Sequence, residues 1–441
     1  MPPKISDFGE TNWKTPFFII WSGQAFSLLG SQLVQFALIW WLTKETGSAT
    51  VLATASLVGL LPQVFLGPLA GALVDRWSRR LTMMVADSLI ALVTVILALL
   101  FYAGYVQIWH VYLLLFLRSV GEGFHWSAMQ ASTSLMVPKQ HLSRIQGLNQ
   151  MLNGAMNIGA APLGALLIGI LPMQGVLSID VITGLLAVIP LLFITIPETE
   201  RVVSSESAIG KTSVWQDMQE GFRYVRGWSG LLWICFMATL INLLLSPASA
   251  LMPILVTKHF GGQALQLAWM ESAWGLGVVF GGLVLSAWGG FSRRILTTLL
   301  GLILLGGGMT VIGFSPDTAF LLATGMMFVV GFANPITNGP LLAVVQGVVA
   351  PEMQGRVFTL IGSLAAAMSP VGLVIAGPAA DAFGVQSWFV VGGLATALMG
   401  LGAFFIPAIV HVEDGRSPVQ AGLVENITPA TAAPTARTLG D

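Results

Sequence analysis

The sequence predicts an all-α integral membrane protein with twelve transmembrane helices in two pseudo-symmetric six-helix bundles. Three observations carry that prediction. Of 441 residues, 55% are hydrophobic and only 9% charged, with a mean hydropathy of +0.82, which leaves too little polar surface to clothe a water-soluble globule. Apolar stretches of the roughly 20 residues that cross a bilayer begin near Phe17, Thr50, Leu81, Trp109, Gln146 and Gly175, and again near Ser229, Gln266, Arg294, Ala319, Val357 and Gln386. Finally, Gly67, Leu69, Ser78, Arg79 and Arg80 recur in register as Gly281, Leu283, Ser292, Arg293 and Arg294, so the chain reads as two related halves. Gly289 stands in the copy where Asp75 stands in the original, and only the first half keeps the acid.

Taken in order, residues 1–16 are polar and are assigned as a cytoplasmic N-terminus. The first span is too long and too rich in Trp for a signal peptide, and no small-residue cleavage site follows it, so it is expected to stay in the mature protein. Residues 17–196 form the first bundle. The linker, 197–228, begins without apolar periodicity and then turns helical. Ser213 and Gln216 have capping-box spacing, Trp215, Met218, Phe222 and Val225 share a face, and Arg223 and Arg226 sit where a helix C-terminus favours cations. That pattern predicts an interfacial amphipathic helix along the inner leaflet, with packing on the bundles as the alternative. Residues 229–410 form the second bundle. The tail, 411–441, turns to Ser, Pro, Ala, Thr and Gly and is expected to be disordered.

Orientation follows from the basic residues. With the N-terminus inside, sixteen of the 19 fall on the cytoplasmic side, Lys44 and Lys258 fall outside, and Arg118 lies within a span. Both termini and the linker helix are therefore expected in the cytoplasm.

Several function classes drop out. Cys235 is the sole cysteine, so there is no internal disulfide, and His110, His125, His141, His259 and His411 lie too far apart for a metal motif. No cofactor is expected, and no basic run suggests nucleic acid. Gly210-Lys211-Thr212 mimics the end of a phosphate loop, but Ser205 replaces its first glycine and no strand precedes it. Asn426-Ile427-Thr428 fits a glycosylation sequon by chance on a cytoplasmic tail. No convergent catalytic set marks an enzyme.

Polar side chains within spans mark faces turned to protein or to water. The first span repeats Gln24, Ser27, Ser31 and Gln35 at helical spacing, the fifth Asn149, Asn153 and Asn157, the seventh Thr239, Asn242, Ser246 and Ser249, and the tenth Asn334, Thr337, Asn338 and Gln346. These four are predicted to line a cavity. The ninth and twelfth are almost wholly aliphatic and the third has little beyond Asp87 and Thr94, so these three are predicted to face lipid. The fifth and eleventh spans share a run of Gly and Pro, from Gly154 to Gly169 and from Gly362 to Pro378, which permits close packing and pivoting.

The segment Gly71-x-Leu73-x-Asp75-Arg76-x-x-Arg79-Arg80 after the second of twelve spans resembles the signature of major facilitator superfamily transporters, and the resemblance covers residues 17–410. Ser78 stands where that family has glycine. Ile20-Trp21-Ser22-Gly23-Gln24, Leu117 to His125 and Gln354-Gly355-Arg356-Val357-Phe358 are similar to bacterial macrolide efflux proteins and related drug:proton antiporters, a group that includes siderophore exporters. Ala161-Pro162-Leu163-Gly164 lacks the Gly-Pro pairs of the antiporter signature.

The resemblance implies a central cavity opened alternately to either face by rocking bundles, in a monomer of the bacterial inner membrane. Gly71, Asp75, Arg76, Arg79 and Arg80 would form a cytoplasmic latch, Asp75 exchanging its arginine partners for the start of the eleventh helix near Gly355. Arg118 and Glu122, four apart in mid-span on one face, are read as a buried pair that carries proton coupling. Glu271 is the second proton candidate. Asp87 is also a candidate, though its place near the loop ties it to the latch charges, and Asp180 is read as structural. Trp21, Gln24, Gln35, His125, Trp126, Asn153, Asn242, Trp274 and Asn338 are candidate walls of the substrate site. The expected activity is export of bulky amphipathic compounds in exchange for protons. Export of a siderophore or lipid, nutrient uptake, and a passive channel or receptor are the alternatives.

Overall fold

The computed structural model describes residues 13–74, 77–196 and 214–414, and among them every regular element is helical. The first half comprises α1 (Lys14–Thr46), α2 (Ala49–Val74), α3 (Arg79–Ala103), α4 (Ile108–Met136), α5 (Leu142–Ile170) and α6 (Met173–Phe193). After the linker helix α7 (Val214–Arg226) come α8 (Ser229–Ile254), α9 (Ala264–Trp288), α10 (Arg294–Phe314), α11 (Phe320–Val348), α12 (Pro351–Phe383) and α13 (Val385–Ala403). Eleven of these are long and apolar enough to cross a membrane. The twelfth, α4, spans 29 residues, but Arg118, Glu122, His110 and His125 dilute its hydropathy.

The halves repeat one set of neighbours. In the first, α1 packs on α5 and α6, α2 on α4, and α3 on α4 and α6; in the second, α8 packs on α12 and α13, α9 on α11, and α10 on α11 and α13. Glycine makes the closest of these contacts possible. A Cβ on Gly331 would run into the Trp274 carbonyl, and one on Gly277 into that of Phe328, so α9 and α11 touch backbone to backbone.

The expectation that the ninth span faces lipid is not met. This helix, α10, is the most enclosed of the eleven, with 61% of its central window buried. Gly301, Gly306, Gly308 and Gly313 seat it against α11 and α13. A helix–helix seam is as apolar as a lipid face, so aliphatic composition does not separate the two.

Four clusters of buried apolar side chains occur among the described residues. Two belong to the first half and one to the second. The fourth joins the halves, setting Phe36, Trp40, Leu52 and Ala161 against Leu251, Met252, Leu267 and Ala376. These residues lie toward the helix ends that point away from Lys14 and Val410. On the face that carries those two residues, the terminal face, each half keeps its own core. The halves touch through α2 with α12 and through α5 with α9.

Helix α7 packs against α12 and α8 of the second half. Val225 is buried, the Tyr224 hydroxyl accepts from the Ala350 N–H at 3.2 Å, and Glu220 pairs with Arg356 at 2.7 Å.

Candidate transport site

Where the halves part, they leave a cavity of ≈ 700 Å³. All four spans read from their polar stripes contribute to it: Gln32 and Gln35 from α1, Asn157 from α5, Ser246 and Ser249 from α8, and Asn334 from α11. Phe36, Trp274, Met156, Met252, Met309 and Met327 supply apolar wall. Thioethers and aromatic faces adapt to bulky ligands of varied shape, and a few amides add orientation. Glu271 is the single formal charge on this lining. It has no hydrogen bond or ion pair to the described residues, so its carboxylate is available to whatever enters.

A smaller polar pocket of ≈ 80 Å³ lies within the first half, lined among others by Gln24, Ser31, Asp87, Glu122, His125 and Asp180. Helix α1 links the two spaces, Gln24 and Ser31 facing one and Gln35 the other.

The expected pairing of Arg118 with Glu122 is corrected here. Arg118 reaches across to α6, where its guanidinium donates to Asp180 at 2.5 Å, to Thr94 Oγ1 at 3.3 Å and to the Ser31 carbonyl at 3.4 Å. Asp180 also accepts from Ser31 Oγ and Thr94 Oγ1, each at 3.1 Å. Both charges are buried and fully compensated, which is how an ion pair survives in low dielectric. Glu122, one turn along α4, turns instead toward the pocket and makes no direct hydrogen bond or ion pair among the described residues.

Among the described residues, the partners of Asp87 are those of the first-half pocket rather than Arg79 or Arg80. Asp87 is buried, accepting from Gln24 Nε2 at 3.1 Å, with His125 Nε2 at 3.5 Å from its second oxygen. His125 Nε2 also meets Gln24 Oε1 at 2.8 Å. Three elements thus converge: α1 brings the amide, α3 the acid and α4 the imidazole.

The other candidates scatter. Trp274 and Gln35 line the main cavity, whereas Asn242 and Asn338 line an adjoining pocket of ≈ 270 Å³ in the second half. Asn153 lines none of the three spaces, its place being taken by Asn157 one turn on. Trp21 is used inside the first half, its indole N–H donating to Asn149 Oδ1 at 2.8 Å. Trp126 is 60% exposed and lines none of the three spaces. The sequence reading omitted the methionines, because Met at helical spacing also reads as plain core, and it passed over Asp180 as the partner of Arg118.

Of the latch residues, Asp75 and Arg76 lie outside the described residues. Gly71 belongs to the last turns of α2. Arg80 is committed within its own half: its Nε donates to the Leu191 carbonyl and its Nη2 to that of Leu192 at 2.7 Å, so it caps the end of α6 with positive charge.

Residues 20–372 match the family profile described as Major Facilitator Superfamily. The chain is 34% identical over 383 residues to Macrolide efflux protein A of Streptococcus pyogenes, which covers 87% of this chain and 93% of the other. It is 28% identical over 401 residues to the Multidrug efflux pump Tap of Mycolicibacterium fortuitum, covering 88% and 95%. Among solved structures, a bacterial homologue of the human lysosomal transporter Spinster, inward-facing and unoccupied, superposes with a TM-score of 0.66 at 15% identity, over 93% of this chain and all of that one. At that identity the likeness concerns the fold alone.

Proposed function

Because the chain belongs to the major facilitator superfamily, we propose that it exports amphipathic, macrolide-type compounds from the cytoplasm in exchange for protons, its halves rocking about the cavity between them. The observation that carries this reading is the cavity itself. It is bounded by both halves, sealed by the core they share away from the terminal face, and sized for a drug-like molecule. With sixteen basic residues assigned to the terminal side, that side is cytoplasmic, the membrane is the bacterial inner membrane, and the cavity opens inward. Each chain encloses its own cavity, so a monomer suffices.

Coupling follows from the acids. Glu271 meets the substrate directly, so a proton and a basic group on the substrate compete for one carboxylate. Glu122, with Asp87, His125 and Gln24 beside it, forms a second proton-accepting cluster reached from the first-half pocket. Arg118 and Asp180 hold that cluster in place. One charge falling through the membrane potential supplies about 2.3 kcal/mol per 100 mV, so a single proton supports a substantial substrate gradient. The Gly71, Asp75, Arg76, Arg79 and Arg80 segment latches the terminal face when the other face opens.

The test is a susceptibility panel in a host stripped of its own pumps. Expression should raise resistance to macrolides, and Trp274→Ala or Glu271→Gln should return it to the level of the empty host at equal protein abundance. Resistance to no compound, alongside secretion of a siderophore or lipid, would replace this substrate class with another.

A further inference from the structure

At the face opposite the termini, one carboxylate ties the end of α12 to the start of α2. Asp381, in the last turn of α12, accepts from Ser48 Oγ at 2.9 Å, from the Ala49 and Thr50 N–H groups at 2.8 and 3.0 Å, and from Thr50 Oγ1 at 2.7 Å. The first N–H groups of a helix have no partner within it and form its positive end. The local alternative is weak, since Ser48 Oγ reaches only Val51 N–H, at 3.4 Å. A residue of the second half therefore caps a helix of the first. Gly377, one turn earlier, lets the backbones meet: a Cβ there would lie 2.8 Å from Thr50 Cα and 2.9 Å from Ala53 Cβ.

The repeat sharpens the meaning of this contact. By the pseudo-symmetry of the halves, α5 against α9 is the equivalent of α12 against α2. Yet α9 is capped by its own Gln263 and Gln266, and the end of α5, Leu166 to Ile170, contains no acid. That seam is held by backbone contact between Gly275 and Asn157 and by Ser272 Oγ donating to the Ile158 carbonyl at 2.8 Å. Among the described residues, only one of the two equivalent seams is closed by a carboxylate. Its carboxylate is also solvent-exposed, so water can take over its hydrogen bonds as the seam opens.

We propose that Asp381 is the gate residue of the face opposite the termini, holding that face shut through the first turn of α2 and releasing it once per transport cycle. The proposal rests on the alternating-access reading above. It also pairs with the latch that the family resemblance implies at the other face, where Asp75, which follows α2 in sequence, would engage the start of α12, while Asp381 sits at the end of α12 and holds the start of α2. The α2–α12 pair then carries a carboxylate latch at each end, one for each closed state.

The test uses full-length protein in liposomes, with Cys235→Ser and spin labels at Tyr105 and Phe314, exposed positions of the two halves on the gated face. Distance distributions are read by double electron–electron resonance. Asp381→Ala should raise the ratio of the long-distance to the short-distance population roughly 2- to 30-fold, as expected for loss of a helix cap, and Asp381→Asn, which keeps one accepting oxygen, should raise it by less. Asp381→Glu should restore part of the closed population. Thr50→Val should open the face by itself and add nothing in the Asp381→Ala background, because the two act through one contact. Unchanged distributions in Asp381→Asn and Asp381→Ala, in samples where a macrolide or a pH step still shifts the wild type, would overturn the gate alone. A wild type that neither stimulus shifts would overturn alternating access and the gate together.

Discussion

Asp180 sits where three donors converge, and the consequence of removing each is different. Arg118→Ala strands a buried carboxylate, which costs about 3–5 kcal/mol, so this variant should lose most of its folded protein in a thermal-unfolding or size-exclusion assay. Thr94→Val removes one neutral donor, worth about 1 kcal/mol, and should lower the unfolding temperature only slightly. Normal stability of Arg118→Ala would mean that the Arg118–Asp180 contact does not hold the first half together. Glu122 and Glu271 make no direct hydrogen bond or ion pair among the described residues, so Glu122→Gln and Glu271→Gln should unfold nearly like the wild type. Both should keep downhill substrate exchange and lose gradient-driven accumulation. Were Glu122→Gln to accumulate substrate at the wild-type rate while Glu271→Gln failed, Glu271 would be the proton site.

At the scale of the element, Arg80 and Gly331 make contrasting predictions. Arg80→Ala frees the last carbonyls of α6, an effect of about 1.5–3 kcal/mol for charged hydrogen bonds, and should destabilise the first half. Gly331→Leu should stop the second half from assembling, because the α9–α11 approach leaves no room for a side chain. Protease protection of each half reports both, and a stable Gly331→Leu protein would contradict the packing described. The helices themselves were legible in the sequence because each is a long apolar run closed by polar residues, and their starts fall close to those expected. The polar stripes of α1, α5, α8 and α11 were legible for the same reason, since spacing along one helix is a local property. Arg118 pairing with Asp180, 62 residues away, was not: sequence spacing shows the neighbour four residues on and is blind to the facing helix. The placement of α10 failed through ambiguity, because an aliphatic surface reads alike against lipid and against protein, and the exposed Trp126 carries the same ambiguity. Asp381 was overlooked because a single acid near a helix end carries no signal until the helix it caps is placed beside it.

For the whole molecule, the basic-residue bias and the one-sided closure make linked predictions. A reporter fused after Val410 should be active only as a cytoplasmic reporter, and periplasmic activity would reverse the assigned orientation. On the proposed reading the cavity faces the cytoplasm, with Glu271 on its wall and Asp87 and Glu122 on the first-half pocket, and a substrate would be exchanged for protons across a seam that opens at Asp381. The central claim is the exchange itself. It is tested most directly by reconstituting the protein in liposomes with a trapped pH indicator and no imposed gradient, then adding a macrolide to one side only. Substrate entry should drive protons the opposite way, with the proton signal lost in Glu271→Gln and Glu122→Gln while exchange of labelled macrolide continues. Macrolide movement that leaves the internal pH unchanged in the wild type would contradict the account.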